Sequence, residues 1–203
     1  MKKKETLHIP PVDHPRVLMH GCCAPCSSAM VEWMLQHDIR PTFYYCNPNI
    51  FPQEEYLLRK QECERYAHTL GLDFIEAEYI HDSWLYAVKG LEKEAERGGR
   101  CMECFKYRLL DSARYALAHG YNVLTTTLAS SRWKSLEQID QAGHWAVEEA
   151  LKEAGLSNNA PQALIWWEQN WRKDGLQERR NALIKEHNFY NQQWCGCEFS
   201  QRK

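Results

Sequence analysis

Short β-prone segments alternate with helical patterns along most of the chain, and this alternation constrains the fold more than any other feature of the sequence. Apolar, aromatic or β-branched runs bounded by Gly, Pro or Asn predict strands over residues 16–20, 42–46, 73–79, 122–128 and 164–167. Apolar residues at three- and four-residue spacing predict helices over 26–37, 53–70, 83–97, 103–119, 135–154 and 176–186. Because strands and helices alternate, we expect an α/β fold, with a parallel sheet and helices on both faces.

The length and composition fit one domain with a short N-terminal arm. Residues 1–15 are polar and contain Pro10, Pro11 and Pro15, so we expect an arm that lies over the surface. Residues 16–203 are predicted to form a single α/β metal-binding catalytic domain, and a hydrophobic content of 44% is enough for a substantial core. The formal charge of -2 excludes nucleic-acid binding through bulk positive charge and leaves only local basic patches.

The cysteines are concentrated in short segments. The stretch His20-Gly21-Cys22-Cys23-Ala24-Pro25-Cys26 lies at the predicted turn from the first strand to the first helix. An odd total of nine cysteines, in tight local sets, favours metal binding in a reducing compartment over loop-closing disulfides. The sequence contains no apolar leader of secretory length and no apolar run long enough for a membrane span, so we expect a cytoplasmic protein without membrane partners.

Two cysteine sets supply more thiols than one tetrahedral metal needs. C-x-x-C spacing lets two thiolates reach one metal, and the predicted ligands are Cys22, Cys23, Cys26, Cys101 and Cys104. Five thiolates indicate either two metal centres or one thiolate left free for substrate. Spacing alone leaves open a structural zinc site, an iron-sulfur centre and a thioredoxin-like dithiol formed by Cys23 and Cys26.

The remaining cysteines have different predicted roles. Cys46 ends a predicted strand and Cys63 lies on an apolar helix face, so both are interpreted as buried small apolar residues. Cys195 and Cys197, separated by one glycine, are a possible redox pair or a lid over the site.

Loops after two predicted strands are expected to meet. In open parallel sheets, ligands bind outside the carboxyl ends of the strands, where the strand order reverses. The Cys22 loop follows the first predicted strand and the Ser130 loop follows the fourth. Both loops are therefore candidates for one shared site.

Five sequence blocks, in order over residues 16–200, resemble epoxyqueuosine reductases of the QueH type. They are His20-Gly21-Cys22-Cys23-Ala24-Pro25-Cys26; Pro48-Asn49-Ile50 with Glu55-Tyr56 and Arg59; Arg100-Cys101 with Cys104-Phe105 and Arg108-Leu109; Thr125-Thr126-Thr127-Leu128; and Cys195-Gly196-Cys197 with Phe199-Ser200. Single C-x-x-C elements are weak signals, but five blocks in register are specific. After the fourth predicted strand, Ala129-Ser130-Ser131-Arg132-Trp133-Lys134-Ser135 departs from the family's usual loop.

The resemblance implies an adenine-nucleotide α-hydrolase-like (HUP-type) fold and a tRNA-modification enzyme of queuosine biosynthesis. Such an enzyme removes the epoxide oxygen of epoxyqueuosine at the tRNA wobble position by a two-electron reduction that gives queuosine. It also implies a 4Fe-4S cluster beside a mononuclear iron, and an electron donor that the sequence does not identify. We expect the five predicted ligands to hold the cluster and the iron, which as a Lewis acid would bind the epoxide oxygen.

Candidate residues for the other tasks come from the same blocks and from nearby basic and aromatic positions. The predicted proton donors are His20, Glu55 and Tyr56, with water as an alternative. The predicted substrate-binding residues are Asn49, Arg59, Arg108, Ser130, Arg132 and Trp133. Further candidates for phosphate contacts are Arg100, Lys134, Arg172 and Lys173, and Tyr190 and Trp194 are further candidates for base stacking.

Three other functions stay open from the sequence. A zinc-stabilised binding module would be colourless, and a thiol-disulfide oxidoreductase would depend on Cys23 and Cys26 alone. An ATP-dependent tRNA thiolase of similar fold is disfavoured, because no S-G-G-x-D-S loop follows the first predicted strand.

Overall fold

Five short strands form one parallel sheet in the computed structural model, which describes residues 7–157, 160 and 163–200. The strands are β1 (Val17–His20), β2 (Thr42–Tyr45), β3 (Phe74–Glu76), β4 (Val123–Thr126) and β5 (Ile165–Trp166). Their order is β3-β2-β1-β4-β5, and each neighbouring pair is parallel. The chain therefore winds outward from β1 in one direction and from β4 in the other.

The described residues form six α-helices around this sheet. They are α1 (Ala24–Gln36), α2 (Gln53–Thr69), α3 (His81–Ala87), α4 (Gly99–Ala118), α5 (Leu136–Glu153) and α6 (Leu176–Glu186). Because parallel crossovers are right-handed, the reversal of strand order places α1 and α2 on one face and α4 and α5 on the other. Extensive packing of α4 on α5, and of α6 on α1, agrees with this arrangement. The predicted α/β class, with a parallel sheet and helices on both faces, is confirmed.

The central strands are buried on both sides, which explains their apolar sequences. Every residue of β1, β2 and β4 is buried. On the α5 face, Trp166 of β5 lies directly on Gly143, where an added Cβ would come within 2.2 Å of the indole Cε2. Only glycine at this position lets α5 approach the edge of the sheet so closely.

The predicted helix over residues 83–97 is wrong in its second half. Helix α3 ends at Ala87, and the chain then turns through Gly90, whose φ of +87° is in the left-handed region. The Glu94 carboxylate accepts a hydrogen bond from the backbone N–H of Arg100 at 3.2 Å. This contact satisfies one of the free N–H groups at the start of α4, so α4 begins at Gly99, four residues before the predicted start at Glu103.

The described part of the predicted N-terminal arm, residues 7–15, contains no helix or strand. The Leu7 N–H donates to Asp174 Oδ2 at 2.9 Å, and the His8 carbonyl accepts from Trp167 Nε1 at 3.2 Å and from Gln169 Nε2 at 2.9 Å. These contacts attach the segment to the chain beyond β5. Residues 1–6 of the predicted arm lie outside the described residues. Among the described helices, none has the length and apolar character that a membrane span requires.

Candidate metal centre and substrate cavity

The loops after β1 and β4 are joined directly at the point where the strand order reverses. The backbone N–H of Cys22 donates to Thr127 Oγ1 at 2.9 Å, and the Ser130 hydroxyl donates to the Cys26 carbonyl at 2.8 Å. Residues 127–130 form a short 3-10 helix that carries both side chains. The two loops therefore meet at the edge of the sheet where ligands bind in open α/β folds.

Three thiols meet at the start of α1. The sulfur atoms of Cys22, Cys23 and Cys26, which we call the thiol triad, all lie within 4.8 Å of one another. Hydrogen bonds from the Cys23 and Cys26 thiols lower the pKa of Cys22 well below its ordinary value, with smaller contributions from Lys134 and Thr127. Burial raises the pKa of Cys23 well above its ordinary value, and hydrogen bonding with Cys22 raises the pKa of Cys26 to about 11, so Cys22 is the member of the triad that loses its proton most readily.

A cavity of about 1070 Å³ opens beside the triad. It is lined by Cys22 and Cys26 and also by four thiols from distant parts of the chain: Cys101, Cys104, Cys195 and Cys197. We call these four residues the second thiol set. The structure thus brings both predicted C-x-x-C sets to one cavity, together with the predicted redox pair.

Three members of the second thiol set, Cys104, Cys195 and Cys197, pack in one cluster with Trp84. Cys104 and Cys197 are buried with Trp84 in a small apolar cluster that Cys195 also contacts. Hydrogen bonding from the Cys197 thiol lowers the pKa of Cys195, and the charge of Lys134 lowers it further despite burial. Cys195 and Cys197, the last two cysteines in the sequence, are therefore part of the cavity wall and not a separate surface pair.

Residues 190–200, which we call the C-terminal strap, carry Cys195 and Cys197 across the cavity. The Arg59 guanidinium donates to the Trp194 carbonyl at 3.2 Å and lies over the Trp194 ring, with its Cζ 5.3 Å from the ring centroid. The Phe51 N–H donates to the Gly196 carbonyl at 2.9 Å. At the far end, Arg100 Nη2 donates to the Ser200 hydroxyl at 3.3 Å. The strap is fixed along its length by side chains and backbone from α2, α4 and the β2–α2 loop.

All six predicted substrate-binding residues line the cavity: Asn49, Arg59, Arg108, Ser130, Arg132 and Trp133. Arg59 and Arg108 are only 3% exposed and bind other protein groups. The Arg108 guanidinium donates to Asn47 Oδ1 and to the Cys46 carbonyl, which leaves it little capacity for a phosphate. By contrast, Trp133 is 68% exposed at the rim, and the Arg132 Cζ lies 5.3 Å from its ring centroid.

None of the three predicted proton donors is among the residues that line the cavity. His20 is fully buried; its Nε2 lies 3.1 Å from the Cys46 carbonyl and its Nδ1 lies 2.7 Å from the Thr126 hydroxyl. Because a carbonyl only accepts, Nε2 carries the proton and Nδ1 accepts from Thr126. Burial, followed by the charge of Arg108, lowers the His20 pKa to about 3, so the ring is neutral at physiological pH.

Glu55 and Tyr56 lie on the same side of α2 as Arg59 but are committed to other partners. The Glu55 carboxylate forms a buried ion pair with Arg59 at 2.6 Å and accepts from the Tyr190 hydroxyl at 3.0 Å. The Tyr56 hydroxyl donates to Glu76 at 3.0 Å. Glu55 and Tyr56, like His20, therefore lie outside the cavity lining and are bonded to other protein groups.

The other predicted tRNA contacts divide into two groups. Lys134 and Trp194 line the cavity, as does Arg100, although Arg100 Nη1 donates to the carbonyls of Glu92 and Glu94 at 2.6 Å. Arg172 instead braces the loop after β4, because it donates to the carbonyls of Ala129 and Lys134. Lys173 and Tyr190 are absent from the cavity lining.

Sequence reasoning missed several residues of the site. Gln192 donates from its amide nitrogen to the Cys23 sulfur at 2.8 Å, and Arg97 donates from its backbone N–H to the Cys101 sulfur at 3.3 Å. Thr127 was part of the Thr125–Leu128 block but was not singled out. The only sequence signal for Gln192 was its position three residues before Cys195.

Comparisons with known proteins point to one family. A family model described as "Epoxyqueuosine reductase QueH" matches residues 17–203. This chain belongs to the QueH family. A protein of that name from Haemophilus influenzae is 42% identical over 199 residues, which cover 98% of this chain and 76% of the relative. Another, from Thermotoga maritima, is 30% identical over 91% of this chain and 89% of the relative.

A solved structure supports the fold of this QueH family member. It is described as a predicted subunit of tRNA methyltransferase from Methanocaldococcus jannaschii, and it superposes with a TM-score of 0.50 at 12% identity. The match covers 84% of this chain and 88% of the other chain. Membership of the QueH family identifies the chain as an oxidoreductase of tRNA modification, and the resemblance drawn from the five sequence blocks is confirmed.

Proposed function

We propose that the chain reduces epoxyqueuosine in the tRNA anticodon loop to queuosine within the cavity at the switch point of the sheet. The observation that carries this proposal is the meeting of the thiol triad and the second thiol set on one cavity in a member of the QueH family. The reaction breaks both C–O bonds of the epoxide and forms a C=C bond. It consumes two electrons and two protons, and the oxygen leaves as water.

The cysteines fit an iron-sulfur centre by their chemistry and their grouping. The three sulfur atoms of the triad are close enough to share one metal group, and thiolates are the ligands that iron-sulfur clusters use. We propose that the five predicted ligands, Cys22, Cys23, Cys26, Cys101 and Cys104, hold a 4Fe-4S cluster and an additional iron. Cys195 and Cys197 lie in the same second thiol set, so we assign them as ligands with Cys101 and Cys104 and not as an independent dithiol. When bound, this group supplies single electrons and a Lewis acid for the departing oxygen.

The chain's own residues prepare the cavity for this chemistry. The Thr127 hydroxyl and the charge of Lys134 favour the thiolate of Cys22, which is the form that binds metal. Burial disfavours the charge of Lys134. The negative charge of Cys195, Cys22 and Cys26 in their thiolate forms nevertheless raises its pKa, so its ammonium group stays protonated at the cavity. With the predicted proton donors turned away, Lys134 and water are the groups positioned to deliver protons to the departing oxygen.

The rim of the cavity suits an RNA loop. The lining includes the basic residues Arg59, Arg97, Arg100, Arg108, Arg132, Lys134 and Arg180, against the acidic residues Glu96 and Glu178. This local excess of positive charge would attract phosphates although the whole chain carries a net charge of -2. Trp133 at the rim offers a flat face for an unstacked base. We assign the reaction to the cytoplasm, with a separate protein or small molecule as the electron donor.

The test is reconstitution of the protein with iron and sulfide under anaerobic conditions, followed by an assay with epoxyqueuosine-containing tRNA and a chemical reductant. We expect a brown protein that converts the epoxide to queuosine. Cys22→Ser and Cys26→Ser should lose both iron and activity. Cys63→Ala, which changes a buried core cysteine outside the cavity, should keep both.

Two outcomes would reject the proposal. An iron-loaded wild-type protein that leaves the epoxide intact would exclude the reductase activity. Conversion by protein loaded only with zinc, or by metal-free protein that needs only Cys23 and Cys26, would exclude the iron-sulfur mechanism.

A further inference from the structure

Five buried side-chain polar atoms lack a hydrogen-bond partner in the described part of the chain, and all five belong to residues that line the cavity. These atoms are Asn49 Oδ1, Trp84 Nε1, Gln138 Oε1, Gln192 Oε1 and Trp194 Nε1. Burying a polar group without a partner is unfavourable, so such groups are rare and commonly meet a ligand or ordered water. Their grouping in residues around one cavity points to a ligand that would pair with them.

Gln192 differs from the other four residues because its second polar atom contacts the thiol triad. Its Nε2 lies 2.8 Å from the Cys23 sulfur and 4.0 Å from the Cys26 sulfur. A thiolate or a metal-bound sulfur can only accept, so the amide nitrogen faces the triad. The amide oxygen, on the same carbon as this nitrogen, is the atom that lacks a partner.

The backbone around Gln192 is held in place before any ligand binds. On one side, the Tyr190 N–H donates to Glu62 at 2.7 Å and the Tyr190 hydroxyl donates to Glu55 at 3.0 Å. On the other side, Arg59 binds the Trp194 carbonyl. A side chain fixed in this way loses little conformational entropy on binding.

We propose that Gln192 positions the reacting ring of the substrate, with its amide nitrogen on the Cys23 sulfur and its amide oxygen on a substrate donor beside the epoxide. This inference rests on the proposed function. The cyclopentane ring of epoxyqueuosine carries two hydroxyl groups and a protonated secondary amine close to the epoxide. These are the donors nearest to the reacting carbons, and an amide oxygen accepts from either kind. One side chain thus sets the distance between the epoxide and the thiol triad.

The experiment measures the affinity of the iron-loaded protein, without reductant, for two forms of one tRNA: the form with epoxyqueuosine and the form with guanosine at the wobble position. Guanosine lacks the ring and its donors, so we expect wild-type protein to prefer the modified tRNA. Gln192→Met should reduce this preference by roughly 10-fold or more, because a hydrogen bond with a charged donor is lost. Its affinity for the guanosine form should change less than about 2-fold.

The conservative variant Gln192→Asn keeps both an amide N–H donor and an amide oxygen acceptor, and it should keep more of the preference for modified tRNA than Gln192→Met. Gln36→Leu, at the exposed end of α1 and outside the cavity, is the control and should behave as wild type. Iron content and the visible spectrum, recorded for every variant, separate loss of the centre from loss of substrate contacts.

Three results would overturn the inference. They are an unchanged preference in Gln192→Met, an equal loss in the Met and Asn variants, or wild-type protein that does not discriminate between the two tRNAs. Gln192→Leu, a second apolar variant, replaces Gln192→Met in this comparison if the Met variant fails to fold. A wild-type protein that converts the epoxide but shows any of these results would reject the role of Gln192 and leave the proposed function standing.

Discussion

The Thr127 hydroxyl forms hydrogen bonds with both the backbone and the side chain of Cys22. It accepts the backbone N–H of Cys22 at 2.9 Å and donates to the Cys22 sulfur at 3.2 Å. One small side chain from the loop after β4 therefore fixes the position of the first cysteine of the triad, which lies in the loop after β1. This pair of hydrogen bonds joins the two loops at the switch point of the sheet, where the strand order reverses.

Thr127→Val should weaken both the fold and the thiolate. Valine has nearly the shape of threonine but cannot bond Cys22, so a mostly buried N–H loses its partner and the unfolding free energy should fall by roughly 1–3 kcal/mol. The Cys22 pKa should rise, although the Cys23 and Cys26 thiols provide the larger part of its shift. Urea denaturation and the pH dependence of Cys22 alkylation in metal-free protein, followed by mass spectrometry, would measure the two effects. Thr127→Ser should restore both, and equal behaviour of the Val and Ser variants would refute the role of the hydroxyl.

Arg59→Met should be strongly destabilising. Arg59 and Glu55 are 3% and 8% exposed, and the substitution leaves the Glu55 carboxylate buried without its cation. Breaking a buried pair in this way typically costs roughly 3–5 kcal/mol, and here the C-terminal strap also loses its anchor at Trp194. The measurement is denaturant unfolding of Arg59→Met beside the double variant Arg59→Met with Glu55→Leu. The double variant should be the more stable of the two, and the reverse order would show that the ion pair is not the source of the loss.

The sequence predicts the fold well where local patterns are strong and fails where distant contacts decide. Strands β1, β2 and β4 and helices α2 and α5 follow from apolar runs and spacing. The sequence predicts that a helix continues from Val88 to Arg97, because the composition of this segment is helix-compatible. Its structure depends instead on Gly90 and on the Glu94 carboxylate at the start of α4, a contact that residue spacing does not reveal.

The residues of the site, like the elements of the fold, could be predicted where the signal is local in the sequence. Cysteine spacing identified the thiols, because a metal needs several sulfur atoms from short segments. Proximity in sequence suggested His20 as a proton donor, but the ring turns inward between Thr126 and the Cys46 carbonyl. The contact of Gln192 with the triad could not be predicted from the sequence, because its partner Cys23 is 169 residues away in the chain.

Asp140→Asn should stabilise the protein near pH 7 and not near pH 4. Burial raises the pKa of Asp140 to about 6, against an ordinary value of 3.8, and the nearby Glu168 carboxylate adds to the shift. Between these two values the folded state binds the proton more tightly than the unfolded state, so stability declines as the pH rises through this window. Asparagine keeps an acceptor for Trp166 Nε1, which donates to Asp140 at 3.2 Å, and carries no charge.

Thermal unfolding of wild type and Asp140→Asn from pH 4 to pH 8 would test this expectation. Because Asp140 is only partly buried, the stabilisation above pH 6 should be about 1 kcal/mol, less than the full shift would give. Asp13→Asn, a change on the N-terminal segment at a residue outside both the cavity and the Asp140 environment, serves as the control. A constant difference between wild type and Asp140→Asn across the pH range would show that charge is not its cause.

Arg132 and Trp133 at the rim of the cavity should contribute to tRNA affinity in distinguishable ways. If Arg132 pairs with a phosphate, Arg132→Ala should weaken binding and reduce the slope of log affinity against log salt by about 1. If Trp133 stacks on a base, Trp133→Ala should lose roughly 1–3 kcal/mol and leave the salt slope unchanged. Arg114→Ala is the matched control, because Arg114 is half-exposed, pairs with Glu153 at 2.6 Å and is absent from the cavity lining. Titrations at several salt concentrations would separate the charge effect from the stacking effect. An Arg132 variant with the slope of the Arg114 variant would place the RNA backbone elsewhere on the protein.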